Sequence, residues 1–269
     1  MPTEQTLPEL HQLKDVAGSF GVDPGRYDRA RPRYPDAAVA AIVATAPGPD
    51  VLDVGIGTGI AARQFEAAGS RVLGVDVDPR MAGWARRRGH EVEVAAFEDW
   101  DPAGRVFDAV VSGQAWHWVD PVAGAAKAAR VLRPGGRLAV FWNVEHPSPE
   151  ATEAFTAVYR RVLPDSPVVR RPGAAGPDGY ELMCDRAADG VRAAGAFDEP
   201  ERWRFEGERT RTRAEWLDLL PTTGLHTRLP AEVLARVLEG VGAAIDAVGG
   251  SVAVRCSTVV VTAARTGAA

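Results

Sequence analysis

The sequence predicts an α/β fold with a doubly wound parallel sheet and added helices. Two observations indicate this class. Short apolar runs alternate with helix-like segments between residues 50 and 143, as in a parallel sheet covered on both faces. Residues 144–200 then leave this alternation, and two late strands enclose further helices. We expect the added helices to cover the carboxyl ends of the strands, where such sheets bind ligands.

The alternation predicts seven strands, at 51–54, 71–75, 91–95, 106–112, 137–142, 202–210 and 254–264. It predicts helices at 59–68, 79–88, 120–132, 149–163, 179–194, 213–220 and 230–248. Asp78-Pro79 has the residue types of an N-cap followed by proline at the first helical position. Pro134-Gly135-Gly136 ends the helix that precedes the fifth strand.

These elements divide the chain into four parts. Residues 1–46 are an N-terminal helical segment or lid, and 47–143 are the ligand-binding core. Residues 144–200 are a helical cap insertion, in which LPDSPVVRRPGAAGPDG marks a loop. Residues 201–269 supply the strands that complete the sheet, with cap helices within 211–249.

Composition excludes several classes of protein. The chain has 269 residues, of which 46% are hydrophobic and 25% charged, as in an ordinary globular protein. Its net charge of −5 argues against a general nucleic-acid binder. The two cysteines, Cys184 and Cys256, indicate a reducing compartment, and we expect a bacterial cytoplasmic protein. No apolar run is long enough for a membrane span, and the histidines lack metal-ligand spacing, so neither a membrane nor a metal is expected.

The stretch VLDVGIGTGI (51–60) indicates the ligand. Gly55, Gly57 and Gly59 form a glycine turn after a strand, but Asp53 would repel a pyrophosphate there and would attract an ammonium group. Asp76 ends the second strand and is placed to accept the hydroxyls of a ribose. A ligand with an adenosyl ribose, an amino acid and no phosphate is S-adenosylmethionine.

VLDVGIGTGIAARQF, VLGVDVDPRM and VLRPGGRLAV, in this order, resemble the class I S-adenosylmethionine-dependent methyltransferases. YDRARPRYP (27–35), SGQAWHWVD (112–120) and RTRAEWLDLLPTTG (211–224) resemble segments of its trans-aconitate methyltransferase-like group. This group belongs to methyltransferase type 11 and includes many small-molecule enzymes. The resemblance implies a Rossmann-like seven-stranded mixed sheet whose last strand is antiparallel.

The resemblance also implies a set of cofactor contacts. Asp53, Gly55 and Gly57 would hold the methionine part, and Asp76 with Val77 the ribose. Phe97 and Glu98 would flank the adenine, although Ala95-Ala96 departs from the polar residue that often precedes this glutamate. The remaining implied contacts are Tyr27, Arg31, Ser112, Gly113 and Gln114.

An aromatic and histidine cluster lies beyond the fourth and fifth strands. Trp116, Trp118 and Trp142 are candidates for substrate contact, with the alternative that they only seat a loop. His117 is a candidate general base, with the alternative that it is a packing residue. Arg31 either pairs with the cofactor carboxylate or belongs to a solvated face. A carboxylate acceptor would need cations, which Arg160, Arg161, Arg170 or Arg171 could supply.

The sequence therefore predicts a methyltransferase that uses S-adenosylmethionine, releases S-adenosylhomocysteine and acts on a small molecule by in-line displacement. No nucleic-acid partner is expected, and the oligomeric state stays open. One alternative is a protein that binds S-adenosylmethionine without transferring methyl. Another is a nicotinamide-dependent oxidoreductase, which Asp53 and the replacement of a third fingerprint glycine by Ile60 make the weaker alternative.

Overall fold

The computed structural model describes residues 18–166, 169 and 177–267. These residues form one sheet of seven strands, and each predicted strand is present. The strands are β1 (Asp50–Val54), β2 (Arg71–Asp76), β3 (Glu91–Val94), β4 (Phe107–Gly113), β5 (Leu132–Pro147), β6 (Glu201–Thr212) and β7 (Ser251–Ala264). Their order is β3-β2-β1-β4-β5-β7-β6, so the winding direction reverses between β1 and β4.

One strand of the sheet runs against all the others. β1 to β5 pair in parallel, while β7 lies between β5 and β6 and is antiparallel to both. The predicted Rossmann-like mixed sheet with an antiparallel last strand is confirmed.

β5 is longer than the sequence indicates. The expected strand covers 137–142, but β5 continues to Pro147 because its ladder with β7 runs over 137–147. At the other end, the preceding helix stops at Val131, as Pro134-Gly135-Gly136 predicts. Gly135 has a φ of 75°, and the β4–β5 register shifts at this point.

In the described ranges, helices follow the strands in the expected places. They are α1 (Pro24–Ala30), α2 (Asp36–Thr45), α3 (Ile60–Ala67), α4 (Pro79–Arg87), α5 (Pro121–Val131), α6 (Pro149–Val162), α7 (Pro177–Ala194), α8 (Arg213–Leu219) and α9 (Ala231–Ala247). The Asp78 side chain accepts the N–H of Arg80 at 2.8 Å with Pro79 at N1, which confirms the predicted N-cap. Over the residues described, none of these helices has the length and apolar character of a membrane span.

Apolar side chains alternate between the two faces of the sheet. Val51 of β1 belongs to a cluster with Ile42 of α2 and Phe65 of α3. Its neighbour Leu52 belongs to the cluster on the other face, which includes residues of α5 and α7 such as Ala128. Strands buried on both faces leave a ligand access only at their ends.

A third apolar cluster, separate from these two, joins α6, α8 and α9 to Val252 and Val254 at the N-terminal end of β7. Its fully buried members include Val237 and Ile245 of α9, packed with Tyr159 and Trp216. This cluster gives the predicted cap helices a core of their own. The division of the chain into four parts stays a prediction, and residues 1–17 of its first part lie outside the described range.

α5 and α7 approach each other closely at Gly190. A Cβ at this position would lie 2.5 Å from the carbonyl carbon of Pro121 and 2.8 Å from its Cβ. Because the first of these atoms is backbone, the contact cannot be relieved by a rotamer change. The absence of a side chain at Gly190 therefore lets α7 pack onto α5.

We predict that Gly190→Ala lowers the free energy of unfolding by about 1–3 kcal/mol, because overpacking outweighs the gain in helix propensity. Gly83→Ala is the matched control within α4, where the atom nearest to the added Cβ is Arg87 Nη1 at 3.6 Å. This control should gain about 0.5–1 kcal/mol. Denaturant unfolding measures both, and changes of the same sign would contradict the packing argument.

Candidate functional site

A cavity of about 910 Å³ lies at the carboxyl ends of β1, β2, β3 and β4. Its floor, next to the sheet, is formed by residues 54, 55, 57, 75–78, 81, 95–99, 113–115 and 117–120. Its cover is formed by residues 18, 20, 27, 31, 180, 183 and 223–225. The winding reversal between β1 and β4 opens into this floor, which is the expected ligand position in doubly wound sheets.

The glycine turn between β1 and α3 presents bare backbone to the cavity. Gly55, Gly57 and Gly59 have φ values of 73°, 57° and 85°, a region that favours glycine. A side chain at Gly55 would collide with Ala115, and one at Gly59 would lie 2.7 Å from the His90 ring. Of these three glycines, Gly55 and Gly57 line the cavity, whereas Gly59 packs against His90.

Asp76 holds this turn against the end of β2. Its Oδ2 accepts the N–H of Gly57 at 2.7 Å, and its Oδ1 accepts the N–H of Asp78 at 2.8 Å. Burial raises the pKa of Asp76 to about 6, and the two backbone hydrogen bonds oppose this rise. The carboxylate is mostly ionised at neutral pH and keeps lone pairs for hydroxyl groups of a ligand.

Asp53 lies behind the turn and not in the cavity wall. Its side chain is 1% exposed, and neither carboxyl oxygen has a hydrogen-bond partner among the described residues. Burial raises the pKa of Asp53 to about 8, and the negative charges of Asp76 and Glu66 add to the rise. A buried carboxyl group without a partner is costly, so a cation that reached it would be strongly favoured.

The far end of the floor is aromatic and acidic. Phe97 lines the cavity and stacks with Trp100 at 6.4 Å between ring centroids. Glu98 Oε1 accepts the N–H of Asp120 at 3.0 Å, which ties it to the start of α5 and leaves its second oxygen for a ligand. Two small residues, Ala95 and Ala96, complete this wall, where the family pattern often has a polar side chain.

β4 ends in a turn with an unusual backbone. Gln114 has a φ of 58°, which is uncommon for a residue other than glycine. Its N–H donates to the Phe141 carbonyl at 2.8 Å, and its side-chain amide donates to the Asn143 carbonyl at 2.9 Å. A Cβ at Gly113 would lie 2.5 Å from Tyr34 Oη, so glycine makes room for that hydroxyl.

The cover contains a cation and several aromatic rings. The Arg31 guanidinium donates to the Thr222 carbonyl at 2.6 Å and lies 4.8 Å from the Tyr27 ring centroid. Tyr180 reaches the cavity from α7; burial raises the pKa of its hydroxyl, and the nearby Arg31 charge and a hydrogen bond with Gln114 oppose this rise.

His117 lies where the floor meets the cover, in a 3₁₀ turn over Trp116–Trp118. Trp142 Nε1 donates to His117 Nδ1 at 3.2 Å. Burial lowers the pKa of His117 to about 4, and the nearby Arg31 charge contributes. The imidazole is therefore neutral at physiological pH.

Most of the predicted site residues meet at this cavity. Those that line it are Tyr27, Arg31, Gly55, Gly57, Asp76, Val77, Phe97, Glu98, Gly113, Gln114, His117 and Trp118. Within 18–166, 169 and 177–267, no three His, Cys, Asp or Glu side chains converge as metal ligands.

Three predicted positions need correction. Trp116 and Trp142 are 2% and 0% exposed and belong to a core cluster, so the prediction that they contact substrate is wrong. Ser112 is also buried; its hydroxyl donates to the Val54 carbonyl at 2.8 Å and couples β4 to β1.

The four arginines considered for a cationic pocket do not supply one here. Arg160 and Arg161 are exposed on α6 and do not line the cavity. Arg170 and Arg171 lie outside the described residues. Among the described lining residues, the side chain with a permanent positive charge is that of Arg31.

Sequence reasoning missed most of the cover. Phe20, Tyr180, Met183 and the segment 223–225 line the cavity but come from elements remote from the glycine turn. Local patterns do not reveal such contacts.

Comparisons with known proteins identify the family of the chain. A methyltransferase-domain family model matches residues 52–140. An uncharacterized methyltransferase of Mycobacterium tuberculosis is 39% identical over 132 residues, which are 48% of this chain and 54% of that protein. The match thus spans about half the length of this relative. A demethylmenaquinone methyltransferase of Mycolicibacterium paratuberculosis is 32% identical over 213 residues, 71% of this chain and 88% of that protein.

The chain belongs to the class I S-adenosylmethionine-dependent methyltransferases. A solved structure, a candidate type II methyltransferase from Anaeromyxobacter dehalogenans, is similar to this methyltransferase with a TM-score of 0.61 and 25% identity. The likeness covers 88% of this chain and 97% of that one. The orphaned carboxyl group of Asp53 and the bare turn at Gly57 fit a ligand that carries an ammonium group, as the cofactor of this family does.

We predict that the contribution of Asp53 to the stability of the cofactor-free methyltransferase falls as pH rises from about 5 to 8. The unfolded Asp53 side chain ionises near the ordinary aspartate pKa of 3.8, while the folded one keeps its proton until about pH 8. The unfolded state thus binds fewer protons in this range, at a cost of up to about 1.4 kcal/mol per pH unit. Asp53→Asn should remove this contribution, so the stability of the variant relative to the wild-type protein should rise with pH in thermal unfolding at pH 5, 6, 7 and 8. A constant difference between the two proteins would mean that Asp53 is ionised in the folded protein.

Proposed function

We propose that this methyltransferase transfers methyl from S-adenosylmethionine to a small-molecule acceptor held under the aromatic cover of the cavity. The observation that carries the proposal is the division of one cavity into an acidic floor and an aromatic cover. Its volume of about 910 Å³ is near the upper end of the roughly 300–1,000 Å³ of ligand pockets. Such a volume suits a cofactor and a second molecule together.

The floor residues suit the ammonium group, the ribose and the adenine of the cofactor, in that order. Asp53 would attract the ammonium group through the bare turn at Gly55 and Gly57. Asp76 would accept the ribose hydroxyls, next to Val77. Phe97 and Glu98 would hold the adenine, with Ala95 and Ala96 leaving room for the ring.

The cover residues favour a small, partly aromatic acceptor over a macromolecule. Phe20, Tyr180, Met183 and Leu225 of the cover, together with Trp118 at the edge of the floor, give an apolar surface. The name of the relative from Mycolicibacterium paratuberculosis gives a small molecule, demethylmenaquinone, as its acceptor. The net charge of −5 adds nothing that would attract a nucleic acid.

Catalysis in such a site comes mainly from positioning and exclusion of water. S-adenosylmethionine supplies an electrophilic methyl group on a sulfonium sulfur. Trp118 and Met183 would exclude water from the acceptor, and the turn at Gln114 would fix the angle of approach. No described residue is required to bond to the methyl group. A cytoplasmic, bacterial setting stays part of the proposal.

We predict that S-adenosylhomocysteine binding at pH 7 releases close to one proton. Asp53 holds a proton in the free protein, with a pKa raised by burial to about 8, and the bound ammonium would favour its ionised form. Affinity should therefore rise with pH up to about 8. Calorimetry in buffers of different ionisation enthalpy measures the release. Asp53→Asn should abolish it, whereas Asp246→Asn, an exposed carboxyl group on α9, should not.

We predict transfer of a trideuterated methyl group from labelled S-adenosylmethionine to a member of a panel of phenols, quinols, hydroxy acids and amines. Mass spectrometry of the small-molecule fraction detects the product. Asp76→Asn should weaken cofactor affinity about 10–100-fold, because a charged acceptor of hydrogen bonds is lost. Label in protein or nucleic acid would contradict a small-molecule acceptor. Tight cofactor binding without any labelled product would favour a protein that binds without transferring.

A further inference from the structure

The hydrogen bond between Trp142 and His117 fixes the position of a proton. An indole N–H can only donate, so His117 Nδ1, 3.2 Å from Trp142 Nε1, must be the accepting nitrogen. In a neutral imidazole the proton is then on Nε2. The Trp142 ring is 0% exposed, so water cannot take over as its partner.

The neutral ring is the stable form in this position. Protonation of Nδ1 would set its N–H against the N–H of Trp142, and burial already lowers the pKa of His117 to about 4. Among the described residues, no group hydrogen-bonds to Nε2, while the His117 side chain lines the cavity. A ring with its lone pair engaged by Trp142 offers the cavity a donor and has no free lone pair to accept a proton.

Arg31 places a second donor in the same part of the cavity. Arg31 lines the cavity, and one of its guanidinium nitrogens is anchored on the Thr222 carbonyl at 2.6 Å. Arg31 is close enough to His117 for its charge to lower the imidazole pKa. Carboxyl groups are absent from the described cover residues; those that line the cavity belong to the floor.

We propose that His117 and Arg31 form a binding site for an anionic oxygen of the acceptor, with His117 as a hydrogen-bond donor and not a base. Trp142 is then a positioning residue that fixes the imidazole tautomer. This proposal rests on the proposed methyl transfer and names its substrate class: an acidic phenol, enol or carboxylic acid that binds as its anion. It replaces the predictions that His117 is a general base and that Arg31 pairs with the cofactor carboxylate.

Such an acceptor removes the need for a base at the moment of transfer. The acceptor loses its proton to solvent before or during binding, because two donors favour the anion. A lone pair of the anionic oxygen, or of a carbon conjugated with it, forms the new bond to the methyl carbon. The carbon–sulfur bond breaks and its electron pair stays on sulfur. One negative and one positive charge are consumed, so both products are neutral.

Nitrogen NMR of full-length ¹⁵N-labelled protein bound to S-adenosylhomocysteine tests the tautomer directly. The long-range ¹H–¹⁵N spectrum should show His117 with a protonated Nε2 and a bare Nδ1, with no change between pH 6 and 8. Trp142→Phe should convert this signature to a mixture of tautomers, because the fixed donor is lost. A protonated Nδ1 in the wild-type protein would overturn the proposal.

The anion site is tested with 4-nitrophenol, whose phenolate absorbs visible light. In the complex with S-adenosylhomocysteine, the ratio of phenolate to phenol should rise about tenfold at a fixed pH, as expected for one unit of pKa. His117→Phe should lose most of this rise. His117→Gln should keep much of it, because its amide nitrogen reaches the place of Nε2 and donates but cannot act as a base.

Two results keep the proposals separate. An unmoved titration of 4-nitrophenol in wild-type protein, or an equal rise in His117→Phe, would overturn the anion site. Calorimetric affinity for S-adenosylhomocysteine, measured on the same samples, reports folding and the cofactor site in every variant. If the wild-type protein does not bind S-adenosylhomocysteine, the proposed function itself is contradicted.

Discussion

The carboxylate of Asp76 joins the two turns on which the cavity floor depends. One oxygen holds the glycine turn after β1, and the other holds the turn after β2, both through backbone N–H groups at 2.7 and 2.8 Å. These bonds favour the ionised carboxylate, whereas burial raises the pKa of this carboxyl group to about 6. The same geometry that shapes the turn therefore leaves a desolvated anion facing the ligand, with Asp53 behind it as a second acid that lacks a partner among the described residues.

The cover depends on contacts between parts of the chain that are far apart in sequence. Arg26 and Arg29 of α1 both pair with Asp218 of α8, at 2.9 and 2.8 Å. Arg31 adds a further contact between the same two segments, a hydrogen bond of 2.6 Å to the Thr222 carbonyl. Each exposed pair contributes little alone, but together they align the N-terminal segment with the C-terminal cap above the strand ends. The cover of the cavity is thus formed by two segments that are held to each other.

The sequence could predict the floor because its residues follow strand ends. A strand, a glycine turn and an acidic residue at the next strand end are local features, and parallel pairing brings them together without further information. The sequence does not show whether the side chains of Trp116 and Trp142 face the core or the cavity. Trp142 and Phe141 are neighbours on β5 and both are buried, on opposite faces, so position at a strand end did not distinguish core from cavity. The cover could not be predicted, because Tyr180 and 223–225 reach the cavity only through tertiary packing. The length of β5 was underestimated for the same reason, since β7 rather than local propensity extends it.

The place of β7 in the sheet has a consequence for how the chain folds during synthesis. β5 and β6 leave the ribosome before β7, yet they are not neighbours, and each pairs with β7. Until residues 251–264 emerge, β5 presents an open edge and β6 has no neighbouring strand in the sheet. Unpaired edges are sites of aggregation, and pairings between distant segments form slowly. The nascent chain therefore carries an exposed β5 edge until the final strand inserts, which makes this interval the one in which a chaperone has most to protect.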